Sequence, residues 1–166
     1  MNLRKKSQAW GIDLIIAVII FTAGITFFYL YSVNSSGSED KFETLTNEGK
    51  LVSSIILSEG EPIDWNTGNV RKLGILSNSE INETKLEMFY DIATSDYGRT
   101  KMLFNIKYDY LFFLSENMTI NSDLVHVIGK PGYTIGDIDS EDVAKISRFT
   151  IYKKKPVTAY LYLWEN

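Results

Sequence analysis

The chain has 166 residues, enough for one ordinary domain and an anchor, with 45% apolar and 23% charged residues. It contains no cysteine, which excludes a disulfide framework, a thiolate nucleophile and a Cys-ligated zinc. The net charge of −4 is unevenly placed: residues 1–31 hold three cations and one acid, and residues 32–166 hold 14 cations and 20 acids, an acidic body that argues against nucleic-acid binding.

Arg4, Lys5 and Lys6 open the chain and a long apolar run follows. Leu14 to Tyr31 is 18 residues without a formal charge, and the stretch from Ile12 to Val33, Asp13 included, is 22. At about 1.5 Å per residue this is roughly 27–33 Å, close to the thickness of a bilayer core. A secretory signal has an apolar region of only about 7–15 residues and a small-residue cleavage site after it. Ser35 and Ser36 offer such a site, but the length favours a retained helix. Cations before the run and acids after it (Glu39, Asp40) put the N-terminus in the cytoplasm and the acidic domain outside. Asn34, Asn82 and Asn117 each begin an Asn-x-Ser/Thr glycosylation acceptor on that outer side. Asp13 stands just inside the run, although a charge at a bilayer centre costs about 2.5–3.5 kcal/mol. It either reaches the interface, or N-caps the helix by accepting from first-turn amides, or pairs with a positive group of a neighbouring chain.

The last reading comes from a resemblance. The stretch RKKSQAWGIDLIIAVIIF is similar to the class III signal of type IV pilin-like proteins, particularly the archaeal ones, over about 25 residues. The resemblance implies cleavage by a prepilin peptidase between Ser7 and Gln8, with Lys5 and Lys6 ahead of the cut. It implies a mature helix packed in a filament core, with Asp13 neutralising the terminal amine of an adjacent subunit. This chain has Asp at the sixth position counted from Gln8, where the family usually has Glu at the fifth, and Ser rather than Gly before the cut. An assembly ATPase and a polytopic platform protein are the further partners so implied.

SVNSSGSED, residues 32–40, is small and polar and reads as a hinge. From Glu39 to Ser58 a helical period returns, with Phe42, Leu45, Val52, Ile55 and Ile56, near Leu51 and Leu57, on one broad apolar side. Gly60, Pro62, Asn66 and Gly68 mark stops and turns, and Trp65 between them reads as a plug over the core. Residues 70–76 form a short strand candidate. Asn82 and Glu83 begin a capped helix in which Leu86, Phe89, Tyr90 and Ala93 share a face. A second helix runs from Tyr97 to Asn105 behind Ser95 or Asp96, with Met102, Leu103 and Ile106 inside. Strands follow at 105–116 and 123–133, the latter ending in a Gly-Lys-Pro-Gly turn. Residues 143–165 read as a hairpin turning at YKKKP. Its last strand sets Val157, Ala159, Leu161 and Leu163 on one face and Tyr160, Tyr162 and Trp164 on the other. Either the 82–94 helix covers that second face or another subunit does.

Chemistry is sparse. His126 is the one histidine and reads as structural; GDIDSED (136–142) lacks the spacing of a calcium loop. No nucleophile-elbow, zincin or Walker sequence occurs. The expectation is an α+β protein: a leader (1–7), a transmembrane or filament-core helix (8–33), a linker (34–40) and an extracellular domain (41–166) of helices on an antiparallel sheet. It uses no cofactor, metal or catalytic residue. It sits in the cell membrane as a single-pass protein, or in an extracellular filament, and serves adhesion or surface attachment by self-association through its first helix. The alternatives are a monomeric tethered binding domain that never polymerises and a tethered hydrolase using His126.

Overall fold

The computed structural model describes residues 3–140 and 142–165, with side chains except at residues 3–10 and 34–40. The chain divides into two compact units, Met1–Lys41 and Phe42–Asn166.

Helix α1 runs from Leu3 to Ile56. Residues 34–40, expected as a linker, are helical. Serine and glycine each cost up to about 1 kcal/mol against alanine in a helix, but a helix nucleated on either side adds them by propagation alone. Only proline would forbid continuation, and none precedes Pro62. In the second unit α1 buries one stripe, Leu45, Gly49, Val52, Ser53 and Ile56, at helical spacing. Phe42 and Leu51, expected inside, are exposed: Phe42 lies a turn before the packed stretch, and Leu51 is rotated about 100° from Val52. At Gly49 a Cβ would sit 2.9 Å from Ile146 Cγ1, so the missing side chain lets helix and sheet approach. The loop after α1 holds Trp65 as the expected plug, buried, with its Nε1–H donating to the Gly74 carbonyl at 2.8 Å.

Residues 70–76 were expected as a strand. Only Leu76–Ser77 (β1) pairs, with Glu80–Ile81 (β2), while Lys72 makes a lone bridge to Glu61. Val70, Leu73 and Ile75 are all buried, a spacing that alternation across a strand does not give. Helix α2, Glu83–Ser95, starts at Asn82, whose side-chain oxygen accepts from Lys85 N at 3.0 Å. Leu86, Phe89, Ile92 and Ala93 are its buried face. Helix α3, Tyr97–Phe104, is capped by Asp96, which accepts from Arg99 N. Its buried residues are Thr100 and Phe104; Met102, expected inside, is exposed, about 200° around the helix from Thr100.

Strands β3 (Asp109–Leu114), β6 (Ile128–Gly129), β7 (Val143–Tyr152) and β8 (Lys155–Trp164) make an antiparallel sheet of order β6-β3-β8-β7. Strands β4 (Met118–Ile120) and β5 (Asp123–Val125) form a separate hairpin. The single strand expected over 123–133 is thus split between two sheets. Gly129 takes φ +148°, and a Cβ there would strike the Tyr110 carbonyl, so β6 docks on β3 only as glycine. The β7–β8 hairpin turns at Lys153 and Lys154, both at positive φ (51° and 61°), as a two-residue turn demands.

One sheet face carries Tyr110, Phe112, Leu114, Ile128, Ala144, Ile146, Val157, Ala159, Leu161 and Leu163, all buried. Helix α2 lies on it: the Phe89 ring is 6.0 Å from Phe104, 6.4 Å from Tyr110 and 6.0 Å from Phe112. The 82–94 helix therefore does not cover Tyr160, Tyr162 and Trp164, which stand on the opposite face. A Phe89→Ala variant is expected to lose about 3–5 kcal/mol, and a Met102→Ala variant less than about 0.5 kcal/mol, in denaturation of the full chain in detergent.

Candidate functional site

Three surfaces carry the residues of interest. The first is the segment Gly11–Val33 of α1: 23 residues, mean hydropathy 2.3, long and apolar enough to cross a membrane. Its side chains are exposed on every side of the helix. Its threonines need no outside partner, since Thr22 Oγ1 donates to the Val18 carbonyl and Thr26 Oγ1 to the Thr22 carbonyl, each at 2.8 Å. The small side chains of Thr22, Ala23 and Thr26 leave a shallow apolar groove edged by Val18, Phe27 and Leu30. Asp13 is exposed within this segment and is its only formal charge. Because α1 begins at Leu3, Asp13 lies well inside the helix and is not its N-cap. Lys5, Lys6, Ser7 and Gln8 belong to α1, but their side chains lie outside the described residues, as does that of Asn34.

The second surface is the outer face of the sheet. Phe113 stacks on Tyr160 at 5.1 Å and on Tyr162 at 5.4 Å, and Lys145 Nζ lies 5.0 and 5.4 Å from the same two tyrosine rings. Trp164, grouped with the two tyrosines as an interface candidate, is buried at 2% exposure under Tyr133 and Lys130. Tyr160 and Tyr162 remain half-buried.

The third is a cluster that the sequence reading missed. Asp109 is buried between Lys130 Nζ at 2.7 Å and Lys101 Nζ at 3.0 Å. Tyr97 Oη donates to the same carboxylate at 3.2 Å and accepts from Tyr110 N at 2.9 Å, while Tyr110 Oη donates to Thr100 Oγ1 at 2.6 Å. Burial works to raise the Asp109 pKa, but the hydrogen bonds from Lys130 and then Lys101 outweigh it and hold the carboxyl below its usual value. Burial raises the Tyr97 and Tyr110 phenols. Both Asp109 oxygens are engaged, so the group ties α3, β3 and the loop after β6 together rather than acting as a base. A lone acid in the apolar run YDYLFF was the available signal, because a buried carboxylate implies cations nearby.

The remaining sequence candidates are dispersed. Asn82 caps α2, and Asn117 is exposed just before β4 with its Oδ1 3.1 Å from His126 Nδ1. His126 is itself exposed, and among the described residues it meets no acid–nucleophile pair. Asp137, in the acidic stretch 136–142, is taken up by Thr134, whose amide and hydroxyl donate to it at 2.7 and 2.6 Å. Among the described residues no three His, Asp or Glu side chains gather as a metal site. Comparison with protein-family models, with characterised proteins and with solved structures finds no match.

The Asp109 cluster has a pH consequence. Its folded pKa is lower than its unfolded one, so its contribution is complete above the ordinary carboxylate range and is lost as pH falls through and below about 4. Asp109→Asn is expected to cost about 1.5–3 kcal/mol at neutral pH. In acid denaturation of the full chain, the difference from wild type should shrink as pH drops toward the folded pKa.

Proposed function

We propose that the chain is a pilin-like subunit, anchored by α1 and assembled through it into a filament outside the cell. The observation that carries this is the segment Gly11–Val33, a helix apolar on every side, in a chain that also holds a folded α+β unit. A helix with no polar face needs lipid or other helices around its whole girth. A bilayer supplies that before assembly, and packed copies of the same helix supply it afterwards. The groove at Thr22, Ala23 and Thr26 supports close helix approach, which small residues permit. The cations at residues 4–6 support an N-terminus in the cytoplasm and a second unit outside.

In this reading a prepilin peptidase removes residues 1–7, and the new amine at Gln8 meets Asp13 of an adjacent subunit. Exposed among apolar side chains, that carboxylate is costly in lipid and is neutralised in the polymer, which fixes axial register. The acceptor at Asn117, exposed on the second unit, is placed to carry a glycan outside. Adhesion or surface attachment follows as the role of such a filament.

Mass spectrometry of the mature chain is expected to find Gln8 at the N-terminus; an intact Met1, or a start after Ser35, overturns the proposal. Asp13→Ala is expected to insert normally but to lower filament yield about tenfold or more, the factor that roughly 1.4 kcal/mol produces. Equal yield from that variant would leave Asp13 without a role between subunits.

A further inference from the structure

Strand β7 is the outer strand of the four-stranded sheet, ten residues long and regularly paired along its whole inner side with β8. The two-residue turn makes Tyr152 and Lys155 a hydrogen-bonded pair. Alternation then turns the backbone N–H and C=O groups of Val143, Lys145, Ser147, Phe149 and Ile151 away from β8. Among the described residues no main-chain hydrogen bond beyond the β7–β8 ladder reaches them. The β1–β2 turn borders a groove with Arg148, Phe149 and Thr150, and Glu80 accepts from Lys154 N, so the run that reaches as far as that groove, Val143–Phe149, is the open one. Phe149 stands on it with 90% of its surface exposed.

Natural edges of this length are usually guarded by charged side chains that keep other strands off. Here the two candidates are drawn away. Lys145 lies back across the sheet over Tyr160 and Tyr162, and Arg148 turns beneath it, with Nη2 3.5 Å from Ser54 Oγ. The edge is left with its hydrogen-bonding groups and apolar side chains available.

We propose that this edge docks a second copy of the chain, β7 antiparallel to β7 about a two-fold axis at Ile146, joining two sheets into one of eight strands. The sequence fits itself in that register. Val143 falls opposite Phe149, an aromatic–β-branched pair on the outer face, Lys145 opposite Ser147, and Ala144 opposite Arg148. The neighbouring registers are worse. An axis at Lys145 or Arg148 sets like charges face to face, and one at Ser147 drives the partner strand into the stretch beside the β1–β2 turn. The contact does not depend on how α1 is used.

The test uses the full chain in detergent micelles, and the absence of native cysteine removes background. Val143→Cys and Phe149→Cys chains are purified separately, then mixed under mild oxidation. Opposed residues sit about 5.5 Å apart at Cα, within disulfide reach. Two copies of the same substituted position lie six residues apart along the strands, about 20 Å. The mixture is expected to form a disulfide-linked dimer at least tenfold faster than either chain alone, with the same rate in an Asp13→Ala background. Equal rates in all three samples, or loss of the cross-link in that background, overturn the proposal. Ser147→Pro removes an outward N–H that the β7–β8 ladder does not use. Its circular dichroism should stay native and its dimer fraction fall about tenfold by light scattering; an unchanged dimer fraction also overturns it.

Discussion

The second unit depends on the packing of Phe89. One ring from α2 meets Phe104 of α3 edge-on, Tyr110 in parallel and Phe112 at an angle, so a single side chain joins two helices to the central strand. Each other feature follows from keeping that face dry. The last turns of α1 add Leu45, Val52 and Ile56 beside it, Trp65 seals the loop end, and Thr100 satisfies the buried phenol of Tyr110. Aromatic contacts of this kind contribute about 0.5–1.5 kcal/mol each beyond their buried area, and here they converge on one residue.

Burying one face so thoroughly decides what the other can do. Leu111, Phe113, Tyr160, Tyr162 and Trp164 stand on the side away from α2, and only part of that side is covered by the chain itself. The Lys130–Tyr133 loop shields Trp164, and the Asp109 ion pairs hold that loop down. The acid cluster is thus a fastening for the sheet's lower margin. The same economy leaves β7 at the open margin, where nothing in the described residues pairs with its outward backbone.

Much of this was legible in residue order. The β7–β8 hairpin, its lysine turn, the α2 cap at Asn82 and the inward set Val157, Ala159, Leu161, Leu163 all follow from period and local turn chemistry. The failures share a cause. Residues 70–76, Met102, Leu51 and the cover of the aromatic face depend on which surface a distant element meets, and no local period encodes that. The 34–40 stretch misled because turn-forming composition was weighed without the helices on both sides of it. The segment Gly11–Val33 was legible from length and hydropathy alone. Of the Asp109 cluster only the lone acid in an apolar run was legible, because its partners are brought to it from α3 and the loop after β6.

The hairpin tip has a further meaning. Lysine in a left-handed backbone conformation is disfavoured by roughly 1–2 kcal/mol, and asparagine or glycine would do the same bend more cheaply. The bend meets an acidic corner in two ways: the Lys154 backbone amide donates to Glu80 at 2.7 Å, and the Lys153 ammonium Nζ lies 3.9 Å from Glu83. The bend acts as a clasp, closing the last strand pair onto a segment more than seventy residues earlier. The hairpin tip and the β2–α2 junction in the middle of the chain are thereby tied together, so damage at either one would loosen the other.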